Sequence, residues 1–226
     1  VSFRLTRLYR TPLMPEQGPM PTVRPMLPWP DTLQHILSCE GPVESAKALL
    51  GCLLAGPEGR LARLVETEAY GGAEDLGSHA CRGIKPKCAS MFGPPGHAYV
   101  YLSYGCHWML NVVCCPEGVG SAVLVRAAEP ISGLDKMRSL RGETIPDRDL
   151  LRGPGKLARA YGLDRRHDGL SLFDEKGYLR LVQPDFSRME PLQSRRVGLT
   201  VGRGDDLPWR FILQERLHWA SRGPLL

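Results

Sequence analysis

The sequence has 226 residues, of which 42% are hydrophobic and 23% charged, and no apolar run is long enough to span a bilayer. This length and composition favour one globular domain and exclude a membrane protein. The net charge is +5, and residues 136–226 carry 18 basic against 12 acidic side chains, so one side of the molecule would suit an anion such as nucleic acid.

The N-terminal residues differ in composition from the rest of the chain. Residues 1–30 contain seven prolines and few regularly spaced apolar residues, which predicts an extended tail without a core of its own. One domain is expected over residues 31–226. The seven cysteines are odd in number, lack the spacing of a disulfide scaffold and follow no signal peptide, so we interpret them as thiols in a reducing compartment.

The first predicted element of the domain is a short core helix in residues 43–51, which Pro42 precedes and whose apolar side chains share one face. Two strands follow in "CLLAGPEGRLARLVETEAY", residues 52–70, on either side of a Gly-Pro-Glu-Gly turn. Residues 71–97 are rich in glycine and proline and are predicted to be mostly loop.

The middle of the chain predicts a β-hairpin in "AYVYLSYGCHWMLNVVCC", with Tyr104 and Gly105 at its tip, and a third apolar strand in "SAVLVRAAEP". Residues 132–163 have a helical pattern, and Pro154 opens the last helix. Further strands are expected at "YLRLV", "RRVGLTV" and "WRFIL". Together the elements predict an α+β domain around a mostly antiparallel sheet.

Strand alternation in "LVETEAY" separates two sets of side chains. It places Glu66, Glu68 and Tyr70 on one face and Val65, Thr67 and Ala69 on the other. Glu68 and Tyr70, roughly 7 Å apart, can therefore line one pocket. A solvent-facing edge with two solvated glutamates is the alternative that this strand alone leaves open.

Two polar side chains interrupt neighbouring apolar strands, Asn111 in "WMLNVV" and Arg126 after "SAVLV". A buried amide or guanidinium is costly unless it is paired. Arg126 could pair with Glu68, and a water held between them would be a plausible nucleophile for a hydrolysis. Alternatively, Arg126 could pair with Glu129 in a purely structural role.

Aromatic side chains are concentrated around the hairpin. Tyr70, His79 and Tyr101 could stack on a flat ligand, whereas we assign Tyr99 to the core. Tyr104 should be exposed because it lies at the tight tip. It is a candidate wedge, since proteins that extract a base need a group to fill the hole in the stack.

Two further clusters contain residue types that often bind ligands. Gly155 and Lys156 in "RGPGKLARA" lie at a helix start, where free N–H groups suit a phosphate, although ordinary helix entry explains the same pattern. His79, Cys81, Cys88 and His97 match no common zinc spacing. We therefore expect no metal and no other cofactor.

Several segments together resemble one known family. The segments "RLVETEAYGGAEDLGSHACRG", "MFGPPGHAYVYLSYGCHWMLNVV", "AVLVRAAEP", "GPGKLARA" and "LPWRF" are similar, in this order, to the alkyladenine (3-methyladenine) DNA glycosylases of the mammalian type. The resemblance runs from about Val43 to Phe211, and it is specific because several motifs coincide.

The resemblance implies a monofunctional DNA glycosylase of base excision repair. Glu68 would be the general base that activates the attacking water, Arg126 would help to hold that water, and Glu66 would be the less important carboxylate. Cleavage of an N-glycosidic bond passes through an oxocarbenium-like sugar, so a carboxylate beside the anomeric carbon both orients water and offsets positive charge.

The resemblance also implies a base-binding pocket. The damaged base would stack between Tyr70 on one side and His79 with Tyr101 on the other, and Asn111 would crowd the 2-position of guanine. Expected substrates are alkylated purines such as 3-methyladenine and 7-methylguanine, whose positive charge favours an aromatic slot. Neutral lesions such as hypoxanthine and ethenoadenine also need leaving-group protonation, for which His79 is the available donor.

The implied fold is one α+β domain with a curved antiparallel sheet and a protruding hairpin that inserts into DNA. Tyr104 would intercalate, and Cys106 beside it would touch the duplex. The expected partner is double-stranded DNA with damaged purines, bound by a monomer without a metal. Without a long basic extension, a nucleoid-associated protein of the bacterial cytoplasm is favoured over a nuclear one.

Two departures from the family pattern concern supporting loops. Residues 85–88 read Lys-Pro-Lys-Cys where the family has Thr-Pro-Arg-Asn, and the usual Gly-Asn-Pro is missing from "LQERLHWASR". Neither departure removes a pocket residue.

Two other functions compete with the glycosylase interpretation. A carbohydrate hydrolase could use Glu66 and Glu68 as an acid/base pair, because their spacing of roughly 7 Å lies near the inverting range. A non-catalytic nucleic-acid-binding module of the same fold would bind DNA or RNA without releasing a base. The glycosylase interpretation predicts a severe loss of activity in Glu68→Gln and a mild loss in Glu66→Gln.

Overall fold

The computed structural model describes residues 29–182 and 191–223, which form an α+β fold around a single sheet, as predicted. The helices are Trp29–Cys39 (α1), Gly41–Leu49 (α2), Leu134–Arg141 (α3), Asp147–Leu150 (α4) and Pro154–Ala160 (α5). The strands are Leu53–Ala55 (β1), Leu61–Tyr70 (β2), Ala98–Ser103 (β3), His107–Val113 (β4), Ala122–Ser132 (β5), Arg180–Val182 (β6), Leu192–Ser194 (β7) and Arg210–Ile212 (β8). None of the helices in these residues is both long and apolar enough to cross a bilayer.

The strand β2 lies at the centre of the sheet. The strand order is β3-β4-β5-β2-β1-β6, and β8 pairs with β2 and β7. One edge of β2 pairs with β5, whereas the other edge pairs with β1 in its first half and with β8 in its second half. Every pairing between the described strands is antiparallel, which confirms the predicted sheet type.

Both faces of β2 are buried. On one face α1 and α2 cover the main apolar core, and the Thr67 hydroxyl donates to the Ala46 carbonyl of α2 at 2.9 Å. Strand alternation predicted that Val65 shares this face with Thr67 and Ala69, and this prediction is wrong, because the register against β5 shifts between Leu64 and Glu66. It packs instead with Ala127 and Leu213. A β-bulge of this kind re-aims side chains, and the two glutamates that follow it are fully buried.

The predicted hairpin is present at the edge of the sheet. β3 pairs with β4 up to Ser103 and His107, and Tyr104 and Gly105 form the turn with φ angles of 50° and 70°. Turns with two positive φ angles match the twist of antiparallel strands. A tyrosine rarely adopts this left-handed conformation, so the turn holds an exposed aromatic ring in a strained backbone.

The structure corrects the prediction in three places. The predicted strand "RRVGLTV" is wrong, because the strand β7 precedes it and residues 195–201 are irregular. There the Arg196 guanidinium and the Val197 N–H group bind side chains of other segments instead of a neighbouring strand. Helix α1 was not predicted, and the loop of residues 71–97 contains two 3-10 helices, His79–Arg82 and Pro86–Phe92.

Most of the predicted N-terminal tail, residues 1–28, lies outside the described residues. Helix α1 begins at Trp29, so residues 29 and 30, which were assigned to the extended tail, are helical. Three further 3-10 helices in the described residues are Pro57–Gly59, Arg165–His167 and Gln214–Trp219.

Gly96, which lies two residues before β3, gives a test of the packing against the ring of Phe173. Gly96 has a φ of +77°, and a Cβ atom there would lie 2.3 Å from the ring of Phe173, whereas Gly83 has a φ of +74° and nothing within 4 Å. We expect Gly83→Ala to cost about 1 kcal/mol from backbone strain, and Gly96→Ala to cost about 1 to 3 kcal/mol more from overpacking. Urea unfolding followed by tryptophan fluorescence measures both, and equal losses would contradict the packing at Gly96.

Candidate active site

A row of side chains crosses five adjacent strands on the sheet face opposite α2. The paired positions are Arg210 with Glu68, Glu68 with Leu124, Leu124 with Asn111, and Asn111 with Tyr99. Paired residues of antiparallel strands project to the same side. The register of the sheet therefore brings polar side chains that are far apart in sequence onto one surface.

Glu68 lies in this row and is fully buried. Its Oε2 atom accepts hydrogen bonds from the Tyr70 hydroxyl at 2.9 Å and from Arg126 Nη1 at 3.2 Å. Its Oε1 atom accepts the Val197 N–H at 2.7 Å. Burial raises the pKa of Glu68 above its ordinary value, although Arg126, Val197 and Tyr70 each act to lower the pKa.

Glu66 is also fully buried, but it is bound more strongly. Its Oε1 atom accepts hydrogen bonds from Arg126 Nε at 3.0 Å, Arg210 Nε at 2.6 Å and the Ser221 hydroxyl at 2.9 Å, and its Oε2 atom accepts the Ser221 N–H at 2.5 Å. Burial alone would raise the pKa of Glu66, but the two guanidinium groups and Ser221 hold it below its ordinary value. Glu66 therefore stays ionised and anchors Arg126.

These contacts decide two alternatives that the sequence left open. The alternative of a solvent-facing strand edge with two solvated glutamates is wrong, because Glu66 and Glu68 have no exposed surface. The structural pair of Arg126 with Glu129 is also wrong, because Glu129 pairs with Arg63 at 3.4 Å and with Arg216 at 3.1 Å. Arg126 instead pairs with both buried glutamates, and the predicted contact with Glu68 is confirmed.

A cleft of about 460 Å³ opens beside this charge cluster. Its lining includes Tyr70, His79 and Tyr101, the three side chains predicted to bind a flat ligand. The rings of His79 and Tyr101 are 4.6 Å apart in an edge-to-face arrangement. Tyr99 is buried, as predicted, but it also lines the cleft, and its hydroxyl lies 2.9 Å from His79 Nδ1.

The loop that carries His79 is anchored by the buried thiol of Cys88. The buried Cys88 thiol lies 3.9 Å from the His79 carbonyl and 4.0 Å from the Gly83 carbonyl, so the departure at residues 85–88 still anchors this loop. Burial and the nearby Lys87 lower the pKa of His79. The imidazole is therefore neutral near pH 7.

The remaining predicted pocket and hairpin residues differ in exposure. Asn111 is buried, lines the cleft and donates from Nδ2 to the Tyr99 carbonyl at 3.0 Å. Tyr104 lines the cleft mouth and is 87% exposed, as the wedge prediction requires. Cys106 is an exposed free thiol on the same turn.

Gly155 and Lys156 lie at the start of α5, beside the cleft rather than in it. Pro154 contributes to the lining, Lys156 is exposed, and a Cβ atom at Gly155 would lie 3.1 Å from the side chain of His107. The glycine therefore allows α5 to pack closely on β4. The phosphate contact stays a prediction.

The sequence analysis missed three residues of the site. Arg210 in "WRFIL" is a lone charge in an apolar strand, which is the signal that identified Arg126 and could have identified Arg210. Val197 acts through its backbone N–H, so its side chain gives no signal. Ser221 follows the 3-10 helix of "LQERLHWASR" and contacts both Glu66 and Arg126, but an isolated serine near a terminus is too common to single out.

Side chains that could hold a metal do not converge in residues 29–182 and 191–223, where no three of the histidine, cysteine, aspartate and glutamate residues form such a group. All seven cysteines are free thiols. The expectation that no metal or cofactor takes part stays a prediction.

Comparisons with known proteins identify the family. The model of the methylpurine-DNA glycosylase (MPG) family matches residues 37–217. The chain is 44% identical over 186 residues to a protein of Burkholderia cenocepacia, covering 81% of this chain and 89% of that protein. It is 46% identical over 178 residues to a protein of Rubrobacter xylanophilus, covering 77% and 90% of the two chains. Both relatives bear the name "Putative 3-methyladenine DNA glycosylase".

The fold, the site and these matches define an enzyme of the DNA glycosylase class, the hydrolases of N-glycosidic bonds in DNA. Within this class, the chain belongs to the methylpurine-DNA glycosylase family. The resemblance that the motifs indicated is thereby confirmed.

The burial of Glu66 predicts a large effect on stability, whatever its effect on catalysis. In Glu66→Gln, Arg126 and Arg210 lose a fully buried counter-charge, and we expect the free energy of unfolding to fall by about 3 to 5 kcal/mol. Glu44→Gln is a matched control, because Glu44 is partly exposed and, among the described residues, pairs with Lys47 across one helix turn. It should cost less than about 0.5 kcal/mol. Similar losses in urea unfolding of the two variants would contradict the anchoring role of Glu66.

Proposed function

We propose that this enzyme flips alkylated purines out of duplex DNA and hydrolyses the N-glycosidic bond with a water activated by Glu68. One observation carries the proposal: Glu68 is buried, and its three hydrogen-bond partners, Tyr70, Arg126 and Val197, all line the aromatic cleft. A base bound in the cleft would therefore bring its sugar close to an ionisable carboxyl group.

The hydrogen bonds of Glu68 leave one of its acceptor sites free. A carboxylate has about four acceptor sites, and three of those on Glu68 are occupied. A water at the free site and near Arg126 would add its oxygen to C1′ of the deoxyribose. The bonding electrons of the glycosidic bond would leave with the base, and Glu68 would take the water proton. The products are the free base and an abasic site.

The aromatic cleft favours positively charged purines. Alkylation at N3 or N7 gives the purine a positive charge, and rings such as Tyr70 and Tyr101 attract a cation by about 0.5 to 2 kcal/mol. The lowered pKa of His79 supports this substrate class, because a neutral imidazole does not repel the cation. We propose 3-methyladenine and 7-methylguanine as substrates, with hypoxanthine and ethenoadenine as neutral lesions that depend on a hydrogen bond from His79.

Asn111 gives the cleft a means to reject normal guanine. Its side chain is fixed by the hydrogen bond to the Tyr99 carbonyl, and it lines the cleft. A rigid amide at this position would crowd the 2-amino group of guanine, which adenine lacks, so a guanine would be cleaved only when alkylation at N7 has weakened its glycosidic bond.

The hairpin and α5 supply the proposed contacts to DNA. Tyr104 would fill the gap left by the flipped nucleotide, Cys106 would touch the duplex beside it, and the backbone of Gly155 with Lys156 would bind a phosphate. We propose that the protein binds double-stranded DNA as a monomer. The relatives named above are bacterial, which supports action on the nucleoid in the cytoplasm.

The competing functions make different demands on the two glutamates. An inverting carbohydrate hydrolase needs one glutamate as a proton donor and the other as a base that holds a water, but the pKa of Glu66 is lowered and the four hydrogen bonds that it accepts fill its acceptor sites. A non-catalytic binding module needs neither Glu68 nor its link to Arg126. The buried pair at the cleft supports hydrolysis instead.

Loss of the Glu68 carboxylate tests the proposed function. We expect Glu68→Gln to lower the single-turnover release of 7-methylguanine from methylated duplex DNA by at least about 10³-fold, because the variant lacks the base that activates water. Binding of the same duplex should change little. Glu74→Gln is a matched control, since Glu74 is exposed on the loop after β2. Release of free base by Glu68→Gln at the wild-type rate, or no release by the wild type, would exclude the proposed function.

The pKa of Glu68 predicts the pH dependence of the reaction. The rate requires the ionised carboxylate, so it should fall as the pH drops through the pKa of Glu68, which burial places above the ordinary value of 4.5. Excision of 7-methylguanine isolates this step, because a cationic base leaves without protonation. Single-turnover rates across the acidic range, corrected for spontaneous base loss without enzyme, measure the midpoint. A midpoint at or below the ordinary value would contradict Glu68 as the base.

A further inference from the structure

A second buried ion pair lies behind the aromatic cleft. Arg196 Nη1 is 2.6 Å from Asp75 Oδ2, and Arg196 Nη2 is 2.8 Å from Asp75 Oδ1, so the guanidinium and the carboxylate meet through two parallel contacts. The side chains of Arg196 and Asp75 are 0% and 2% exposed. We propose that Arg196, held by Asp75, is a positioning residue that fixes two of the three hydrogen-bond donors to Glu68. This inference rests on the proposed role of Glu68.

The first donor that depends on Arg196 is its neighbour in the chain. Val197 donates its N–H to Glu68 Oε1 at 2.7 Å, although residues 195–201 belong to no strand that would hold this backbone. The preceding guanidinium supplies the anchor, because it also donates to the Ala69 carbonyl at 3.0 Å and to the Gly204 carbonyl at 2.9 Å. These contacts tie the loop to the end of β2.

The second donor is the hydroxyl of Tyr70. The guanidinium carbon of Arg196 lies 4.8 Å from the centre of the Tyr70 ring and 5.2 Å from that of the Trp209 ring. A guanidinium over an aromatic face is attracted to it and restricts its tilt. The Tyr70 ring therefore has a fixed support, and its hydroxyl reaches Glu68 Oε2 at 2.9 Å.

The surrounding loops are shaped to admit this guanidinium. A Cβ atom at Gly204, where φ is +71°, would lie 2.5 Å from Arg196 Nη2, and one at Gly77 would lie 3.0 Å from the same atom. Asp75 also accepts the N–H groups of Gly71 and Gly77. The pair thus connects the end of β2, the loop after it and residues 196–204, each of which contributes to the cleft lining or borders it.

This arrangement has a consequence for the ionisation of Glu68. The hydrogen bonds from Val197 and Tyr70 both act to lower the pKa of Glu68 against the effect of burial. If Arg196 fixes these donors, its removal raises the pKa of Glu68 and shifts the acid limb of the excision rate to higher pH. A purely structural arginine would lower the folded fraction and leave the acid limb in place.

The test compares Arg196→Met with Arg203→Met. Methionine keeps an unbranched apolar side chain about as long as that of arginine up to Nε, but it removes the guanidinium group with its charge and donors. Arg203 is the matched control, because it lies on the same loop and donates to the Leu76 carbonyl at 2.7 Å. For Arg196→Met we expect a fall of about 100-fold in the single-turnover rate per folded molecule, since small misplacements of reacting groups have effects of this size. Arg203→Met should keep the wild-type acid limb.

Carbon-13 NMR titration of labelled glutamate carboxyl groups, with Glu68 assigned from Glu68→Gln, measures the pKa directly and needs no activity. We expect a rise of about one pH unit in Arg196→Met and none in Arg203→Met. An unchanged pKa in the folded variant would overturn the positioning role. If the wild-type protein releases no base, the proposed function fails, but the titration still decides the role of Arg196.

Asp75→Asn gives a second test should Arg196→Met fail to fold. Asparagine keeps the shape of aspartate, but its single side-chain oxygen can accept only one of the two backbone N–H groups, and it breaks the double contact with Arg196. We expect a smaller shift of the Glu68 pKa in the same direction. A pKa at the wild-type value in folded Asp75→Asn, together with an unchanged acid limb, would overturn the inference.

Discussion

The candidate active site depends on the compensation of two buried carboxylates by two guanidinium groups. Glu66 and Glu68 lie two positions apart on the central strand, where mutual repulsion and burial would otherwise favour their neutral forms. Arg126 from β5 binds both, and Arg210 from β8 binds Glu66 as well. The compensation is unequal, so the pKa of Glu66 is lowered and that of Glu68 is raised. One carboxylate thus anchors the cluster, and the other is the group that we propose takes a proton from water.

Much of the site could be predicted because local signals encode it. Strand alternation identified Glu68 and Tyr70 as neighbours on one face, and a lone charge in an apolar strand identified Arg126. The glycine after Tyr104 marked the hairpin tip and the exposed ring. These signals need only the period of a strand, the propensities of a turn and the cost of a buried charge.

Other parts of the site could not be predicted, because they arise from contacts between distant segments. The sequence "RRVGLTV" has the composition of a strand, but its backbone binds Glu68 and its arginine binds Asp75. The bulge before Glu66 follows from the register against β5. Backbone donors such as Val197 are invisible in a sequence, since every residue other than proline carries the same N–H group.

The order of the chain has a consequence for biosynthesis. Arg210 and Ser221, which complete the binding of Glu66, lie near the C-terminal end of the described chain, whereas both carboxylates lie in its first half. While residues 210–221 are still inside the ribosome, a nascent polypeptide can form the hairpin and the central strands, but Glu66 lacks half of its counter-ions. The charge cluster is therefore completed only once these residues emerge, so a product truncated before Arg210 would be uncompensated at its core.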